Sequence, residues 1–167
     1  KQVKINWIGG EDQFSLVMGN GRPFFANLLN PKRRNRMLPK TFDLKVISLS
    51  ELKKLKSQPK GFVSFKSEVS ITIETEKPIS LTQLKKLKIL ENCILETSSR
   101  NQKKSQKCIY KIEYKKIGKT QFILDLFMDG GISIKSFVQN SDTTPNVSDL
   151  IENRSKIIQL DFKNILV

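Results

Sequence analysis

From Gly61 to Thr75 an apolar residue recurs at nearly every second position: Val63, Phe65, Val69, Ile71 and Ile73, with a break near Ser67. A period of two gathers these side chains on one face of a strand, so the stretch demands a sheet with one buried and one polar side. Cys108 to Lys115 and Thr120 to Met128 repeat the demand, flanking Ile117-Gly118-Lys119 as a β-hairpin. Val3 to Ile8 alternates until Gly9-Gly10, and Phe24 to Leu29 follows the tight turn Gly19-Asn20-Gly21-Arg22-Pro23, so the two are expected to pair. Phe42 to Leu49 and Ile157 to Ile165 read as further strands.

Between the strands the pattern predicts short helices. Ser50 is placed to cap one bearing Leu52 and Leu55, and Thr82 one bearing Leu84, Leu87 and Leu90. The two words, Ser50-Glu51-Leu52-Lys53-Lys54-Leu55-Lys56 and Thr82-Gln83-Leu84-Lys85-Lys86-Leu87-Lys88, nearly repeat. Pro145 after Thr144 opens a third helix running to about Glu152. Ile132 to Val138 is a short apolar element, and the polar, basic stretch Ser98 to Gln106 reads as a loop. The sum is an α+β fold with a mainly antiparallel, mixed sheet and short helices. A length of 167 residues fits one domain, or two small lobes sharing a core.

Charge and missing residue types narrow the chemistry. Thirty Lys and Arg against sixteen Asp and Glu leave a net charge of +14, a field that attracts polyanions without separating RNA from DNA, anionic lipid or an acidic protein. The chain contains no histidine, so a His-based triad, a His-ligated zinc or an imidazole base would need another chain. Cys93 and Cys108 lack metal-type spacing, and no metal is expected. No long apolar run or cleavable signal pattern stands out, which leads to the expectation of a cytoplasmic protein without membrane contact. Catalysis, if present, rests on carboxylates, Lys, Arg, Tyr, Ser or Cys. The glycines of the Gly19 turn supply positive φ, and the loop with Lys32, Arg33, Arg34 and Arg36 is the electrostatic candidate for phosphate. Trp7, Phe24 and Phe25 lie in strands, where core packing is the simpler role than base stacking.

Three separated words carry a resemblance. Gly9-Gly10-Glu11-Asp12, then Met18-Gly19-Asn20-Gly21-Arg22-Pro23-Phe24 and Asn30-Pro31-Lys32-Arg33, are similar to the word G-R-E-D-x-D-x-R-x-x-G-x-G-R-P-F followed by N-P-x-K/R. Gly130-Gly131-Ile132-Ser133-Ile134-Lys135-Ser136-Phe137-Val138 resembles G-G-L-Y-I-K-E-F/L-I/V, and Thr144-Pro145-Asn146 with Leu160-Asp161 makes a third match. These words belong to the archaeal and eukaryotic THUMP-containing tRNA pseudouridine synthases that act on T-arm uridines. The chain resembles the C-terminal part of their catalytic domain over nearly its whole length.

The resemblance implies a partial pseudouridine-synthase-like fold, with residues 1–167 as a single catalytic subdomain. It implies that Asp12 is the catalytic carboxylate and Lys135 its ionic partner, that no cofactor takes part, and that tRNA is the partner. Glu11, Arg22, Lys32, Arg33, Arg34, Arg36, Gly131 and Ser133 become the substrate-binding candidates. A second polypeptide or a longer parent chain is expected to supply the THUMP-bearing and early catalytic segments. Positions that depart from the family words include Gly10 for arginine, Phe14 for the second acid, Leu16 for the next arginine and Ser133 for tyrosine. Two readings therefore stay open, an RNA-modifying enzyme and a non-catalytic RNA-binding module or subunit of the same fold.

Overall fold

A computed structural model describes residues 3–9, 16–19, 21–32, 37, 39–43, 45, 48–57, 63–98, 104–139 and 143–167. In chain order the elements are β1 (Val3–Trp7), β2 (Leu16–Val17), β3 (Phe24–Leu28), β4 (Thr41–Asp43), β5 (Ser48–Ser50), β6 (Lys66–Thr75) and α1 (Leu81–Lys86). After a 3-10 turn at Leu87–Leu90 come β7 (Cys93–Ser98), β8 (Lys104–Lys116), β9 (Gln121–Asp129), α2 (Ile134–Gln139), β10 (Thr143–Thr144), α3 (Val147–Leu150) and β11 (Ser155–Leu166). They form two compact units: Lys1–Trp7 with Phe24–Val63, and Ile8–Pro23 with Ser64–Val167.

In the first unit β1 pairs antiparallel with β3, from Val3 opposite Leu28 to Trp7 opposite Phe24, as the alternation predicts. Trp7 and Phe24 stack obliquely with centroids 5.3 Å apart, yet Trp7 stays 47% exposed, so its ring is not a core ring within the described residues. β4 pairs antiparallel with β5, and the Ser48 hydroxyl donates to the Asp43 carboxylate.

The second unit holds a sheet of seven strands among the described residues, in the order β10-β7-β8-β9-β6-β11-β2. Every pairing is antiparallel except β11 with β2, which makes the sheet mixed as expected. Its buried face carries the alternating residues: Val69, Ile71 and Ile73 of β6 beside Phe122, Leu124, Leu126 and Met128 of β9, all nearly inaccessible. Leu84, Leu87 and Leu90, together with Phe137, Val138, Val147 and Ile151 of the helical segments, are among the other buried residues. At about 1.5–3 kcal/mol per fully buried large apolar side chain, this face is the main stabilising term of the unit.

The single strand expected from Phe42 to Leu49 is instead two short strands, β4 and β5, paired with each other. Three further local expectations are corrected. The predicted helix after Ser50 is absent: Ser50 ends β5, Glu51 takes a left-handed φ of 51°, and Leu55 is 52% exposed. Its near-copy does fold as α1 because Leu84, Leu87 and Leu90 find a core. The cap there is not Thr82 but Ser80, and the Ser80 hydroxyl accepts from Gln83 N at 3.1 Å while Gln83 Oε1 accepts from Ser80 N at 3.0 Å. An amphipathic helix of two turns gains its stability from what its apolar face meets.

Second, the expected loop Ser98 to Gln106 is in part strand. Lys104, Ser105 and Gln106 extend β8, facing Ser98, Thr97 and Glu96. Backbone pairing tolerates polar side chains where the sheet is open to solvent. Third, α3 is shorter than predicted and begins after Pro145, because Asn146 is the N-cap and accepts from Asp149 N at 2.9 Å. Among the described residues no helix is long and apolar enough to cross a membrane.

Candidate active site

The first family word is fastened to the end of β11 on both sides of its acidic stretch. Ile8 is buried, and its N–H donates to the Pro23 carbonyl at 3.0 Å. Gly9 has φ +84°, and a Cβ there would lie 3.2 Å from Ile165 Cδ1 and 3.9 Å from Phe65 Cε2, so this turn runs tight against β11 and the Phe65 ring. On the far side Leu16 N donates to Asp161 Oδ1 at 3.2 Å, β2 pairs with Asp161 and Phe162, and Met18 N donates to Phe162 O at 2.8 Å. Gly19, at φ +65°, passes so close to the Lys163 carbonyl that a Cβ would stand 2.5 Å from its oxygen.

Arg22 closes the turn. Its Nε donates to the Ile8 carbonyl at 3.0 Å, and its terminal nitrogen donates to the Gly9 carbonyl. The guanidinium thus holds the two carbonyls from which the acidic stretch departs, a planar fork matched to acceptors of fixed spacing.

The second family word leaves β9 at Gly130, whose N–H donates to the Phe65 carbonyl at 2.7 Å. A Cβ on Gly130 would overlap the Phe65 ring at Cε2, Cζ and Cδ2, so no larger residue fits without moving the ring. Gly131 takes φ +87°, and Ser133 opens α2. The Ser133 hydroxyl lies 3.3 Å from Ser136 N and 3.0 Å from Ser136 Oγ, and its carbonyl accepts from Phe137 N at 2.9 Å. α2 buries Ile134, Phe137 and Val138 and leaves Lys135 exposed in its first turn.

Gly9 and Gly130, the leading glycines of the two words, therefore meet one aromatic ring, and both approach the same atom, Phe65 Cε2. Phe65 itself is buried. Sequence reasoning placed it only on the apolar face of a strand; the signal available was a glycine pair in each word, without a hint of what they face.

Beside this junction lies a polar cluster that the sequence reading passed over. The Asp129 carboxylate accepts from the Tyr110 hydroxyl at 2.8 Å and from Cys108 N at 2.9 Å, and Lys66 Nζ stands 4.0 Å from the Tyr110 ring centroid. The hydrogen bond to Asp129, with burial second, pushes the Tyr110 phenol above its usual range. Burial first and the Asp129 charge second push the Cys108 thiol up, so it is not an activated nucleophile. No group of three or more acidic, Cys or His side chains suited to a metal occurs among the described residues.

Of the remaining sequence candidates, Lys32 is exposed in the first unit, while Glu11, Asp12, Arg33, Arg34 and Arg36 lie outside the described residues.

Comparison with known proteins accounts for the pattern of words. The family model described as "Pus10, C-terminal" matches residues 1–165. The tRNA pseudouridine synthase Pus10 of Nitrosopumilus maritimus (strain SCM1) is 36% identical over 165 residues, covering 99% of this chain and 43% of that protein. The protein of the same name from Cenarchaeum symbiosum (strain A) is 33% identical over 167 residues, covering 100% of this chain and 41% of the relative. The chain thus spans less than half the length of these relatives. Among solved structures, a chain of "Crystal Structure of a Cbf5-Nop10-Gar1 Complex" superposes with a TM-score of 0.51 at 12% identity, covering 60% of this chain and 30% of that one, a likeness of fold. Matched along almost its entire length, and folded around a mainly antiparallel sheet with short helices, the chain belongs to the Pus10 C-terminal family.

Proposed function

We propose that this chain is the catalytic C-terminal part of a tRNA pseudouridine synthase that isomerises a T-arm uridine, with Asp12 as the catalytic carboxylate and Lys135 as its ionic partner. The observation that carries the reading is the meeting of Gly9 and Gly130 on one Phe65 ring. Asp12 follows Gly9 by three residues, a span of at most about 11 Å, and Lys135 stands in the helix that begins just past Gly130. Two words far apart in sequence thereby start from one point in space.

The chemistry asks for what these residues offer. Isomerisation breaks the bond from the ribose carbon to the base nitrogen N1, turns the uracil and joins the same ribose carbon to C5; C5 gives up its hydrogen as a proton to solvent and N1 takes up a proton in place of the ribose. A carboxylate beside the sugar can attack it or take its proton, and its charge stabilises the electron-poor sugar as the first bond breaks. An ammonium group close by favours the ionised carboxylate. The base must be everted to reach it. Gly131 and Ser133 border the Lys135 helix, and Glu11, Arg22, Lys32, Arg33, Arg34 and Arg36 are the proposed contacts to the nucleotide and its flanking phosphates. Neither metal nor organic cofactor enters. The segments that the relatives possess beyond this chain complete the enzyme, from the same polypeptide or from a second one.

Tritium release from a uridine-labelled tRNA transcript tests the reading on the complete protein. Wild type is expected to release label and Asp12→Asn to fall at least about a thousandfold, as removal of a covalent or general-base group does. Equal release from both would overturn it.

A non-catalytic RNA-binding module is favoured by one set of observations: Gly10, Phe14, Leu16 and Ser133 stand where the family words carry Arg, Asp, Arg and Tyr, and the Ser133 hydroxyl is engaged at the start of α2. Under that reading tRNA binding survives Asp12→Ala and no release occurs from the wild type.

A further inference from the structure

At the junction between the two words, two glycine turns share one buried ring. Phe65 precedes β6, and its ring is buried with Gly130 against its Cδ2, Cε2 and Cζ edge and Gly9 near Cε2. The backbone of Phe65 is tied to the same turn, its main-chain carbonyl accepting from Gly130 N at 2.7 Å. Ile165 Cδ1 lies nearer still to the Cβ position of Gly9, so the Gly9 turn faces both β11 and the ring. Both glycines are needed for these contacts: Gly130 because a Cβ would occupy ring space, and Gly9 because its φ of +84° and the nearby Ile165 Cδ1 leave little room for one.

We propose that Phe65 is a positioning residue for the isomerisation: its ring sets the spacing between the turn that leads to Asp12 and the turn that leads to Lys135. This rests on the reading above, in which those two side chains act together. The ring touches neither substrate nor reacting atom. It acts by giving both backbone turns one common contact, since the Cβ positions of Gly130 and Gly9 both approach Phe65 Cε2, and interiors packed at crystal-like density transmit a shift of such a contact without slack. A displacement of about 1 Å in a catalytic constellation costs on the order of a hundredfold in rate, whereas binding through a broad phosphate surface is far less sensitive.

The test compares Phe65→Leu, Gly130→Ala and the double variant Phe65→Leu/Gly130→Ala with Phe122→Leu, a fully buried phenylalanine at the opposite end of β9. Single-turnover tritium release and the dissociation constant for the same tRNA transcript are measured separately, below each variant's melting temperature. The expected result is a loss of about tenfold to a hundredfold in the single-turnover rate for Phe65→Leu and for Gly130→Ala, with tRNA affinity within about twofold of wild type. The double variant is expected to be faster than Gly130→Ala, because the smaller side chain makes room for the added methyl. Phe122→Leu is expected to lower stability by a similar amount and leave the rate unchanged.

An active wild type with Phe65→Leu at the wild-type rate, or slowed no more than Phe122→Leu, would overturn the role of Phe65 and leave the catalytic reading standing. A wild type that binds tRNA but releases no label would overturn both.

Discussion

Residues in this chain are most constrained where backbone meets backbone. Gly19 is the sharpest case, with a left-handed φ and the Lys163 carbonyl in the space of its missing Cβ. Gly19→Ala is therefore expected to cost about 2 kcal/mol or more, from left-handed strain and the displaced contact together, and to lower the melting temperature by several degrees in a calorimetric scan. An unchanged melting temperature would show that the turn yields freely. Arg22 illustrates how a motif residue acquires a local duty: the sequence identified it as a candidate contact to RNA, and its guanidinium donates to the carbonyls of Ile8 and Gly9. The glycines were legible as turn residues from composition alone. Their neighbours were not, because a glycine records that space is short and says nothing of what fills it.

At the level of elements, β11 is the strand on which the site depends, and ion pairs hold it. Lys163, at the irregularity between Phe162 and Asn164, reaches past β6 to Asp125 of β9 at 2.6 Å, and Lys156 pairs with Glu74 of β6 at 2.6 Å. Burial pushes the Asp125 carboxyl up, but the hydrogen bonds from Lys163 and Ser70 and the Lys163 charge outweigh it and leave it below 3.8. The hydrogen bond from Lys156, then that from Gln121, lowers Glu74 below 4.5. A carboxyl whose folded pKa is depressed stabilises the fold above its unfolded pKa and ceases to as the pH falls through the folded value. Stability to urea is thus expected to hold from neutral pH down to about 4.5 and to decline below it. The decline should be shallower in Lys163→Ala, and an identical pH profile for the variant would remove this pair as a contributor. Both pairs are largely solvent-exposed, so the effect is small. Element type was read well where alternation was long, as in β6, β9 and β11. It failed at the helix after Ser50, since the word was amphipathic and only the folded chain shows that Leu55 stays 52% exposed among the described residues.

For the whole molecule the decisive quantity is a net charge of +14. If tRNA is the partner, its dissociation constant should rise steeply with salt. A protein neutralising six phosphates would show a slope near −5 in a plot of log affinity against log salt, and an alanine at Lys32 should lower that slope by about one. A flat salt response would turn the charge into a property without a partner. The sequence by itself determined the alternation that makes an antiparallel sheet, the polyanion-seeking charge, the exclusion of histidine chemistry and the spacing of the family words. All of these are properties of order along a chain. Only the tertiary structure decided that Gly9 and Gly130 face the same Phe65 ring, that Asp129 gathers Tyr110 and Cys108, and that one of two near-identical words is a helix. The physical reason is that contact and burial depend on which distant segments share a volume, and periodicity reports which face of a strand is apolar without naming what will press against it.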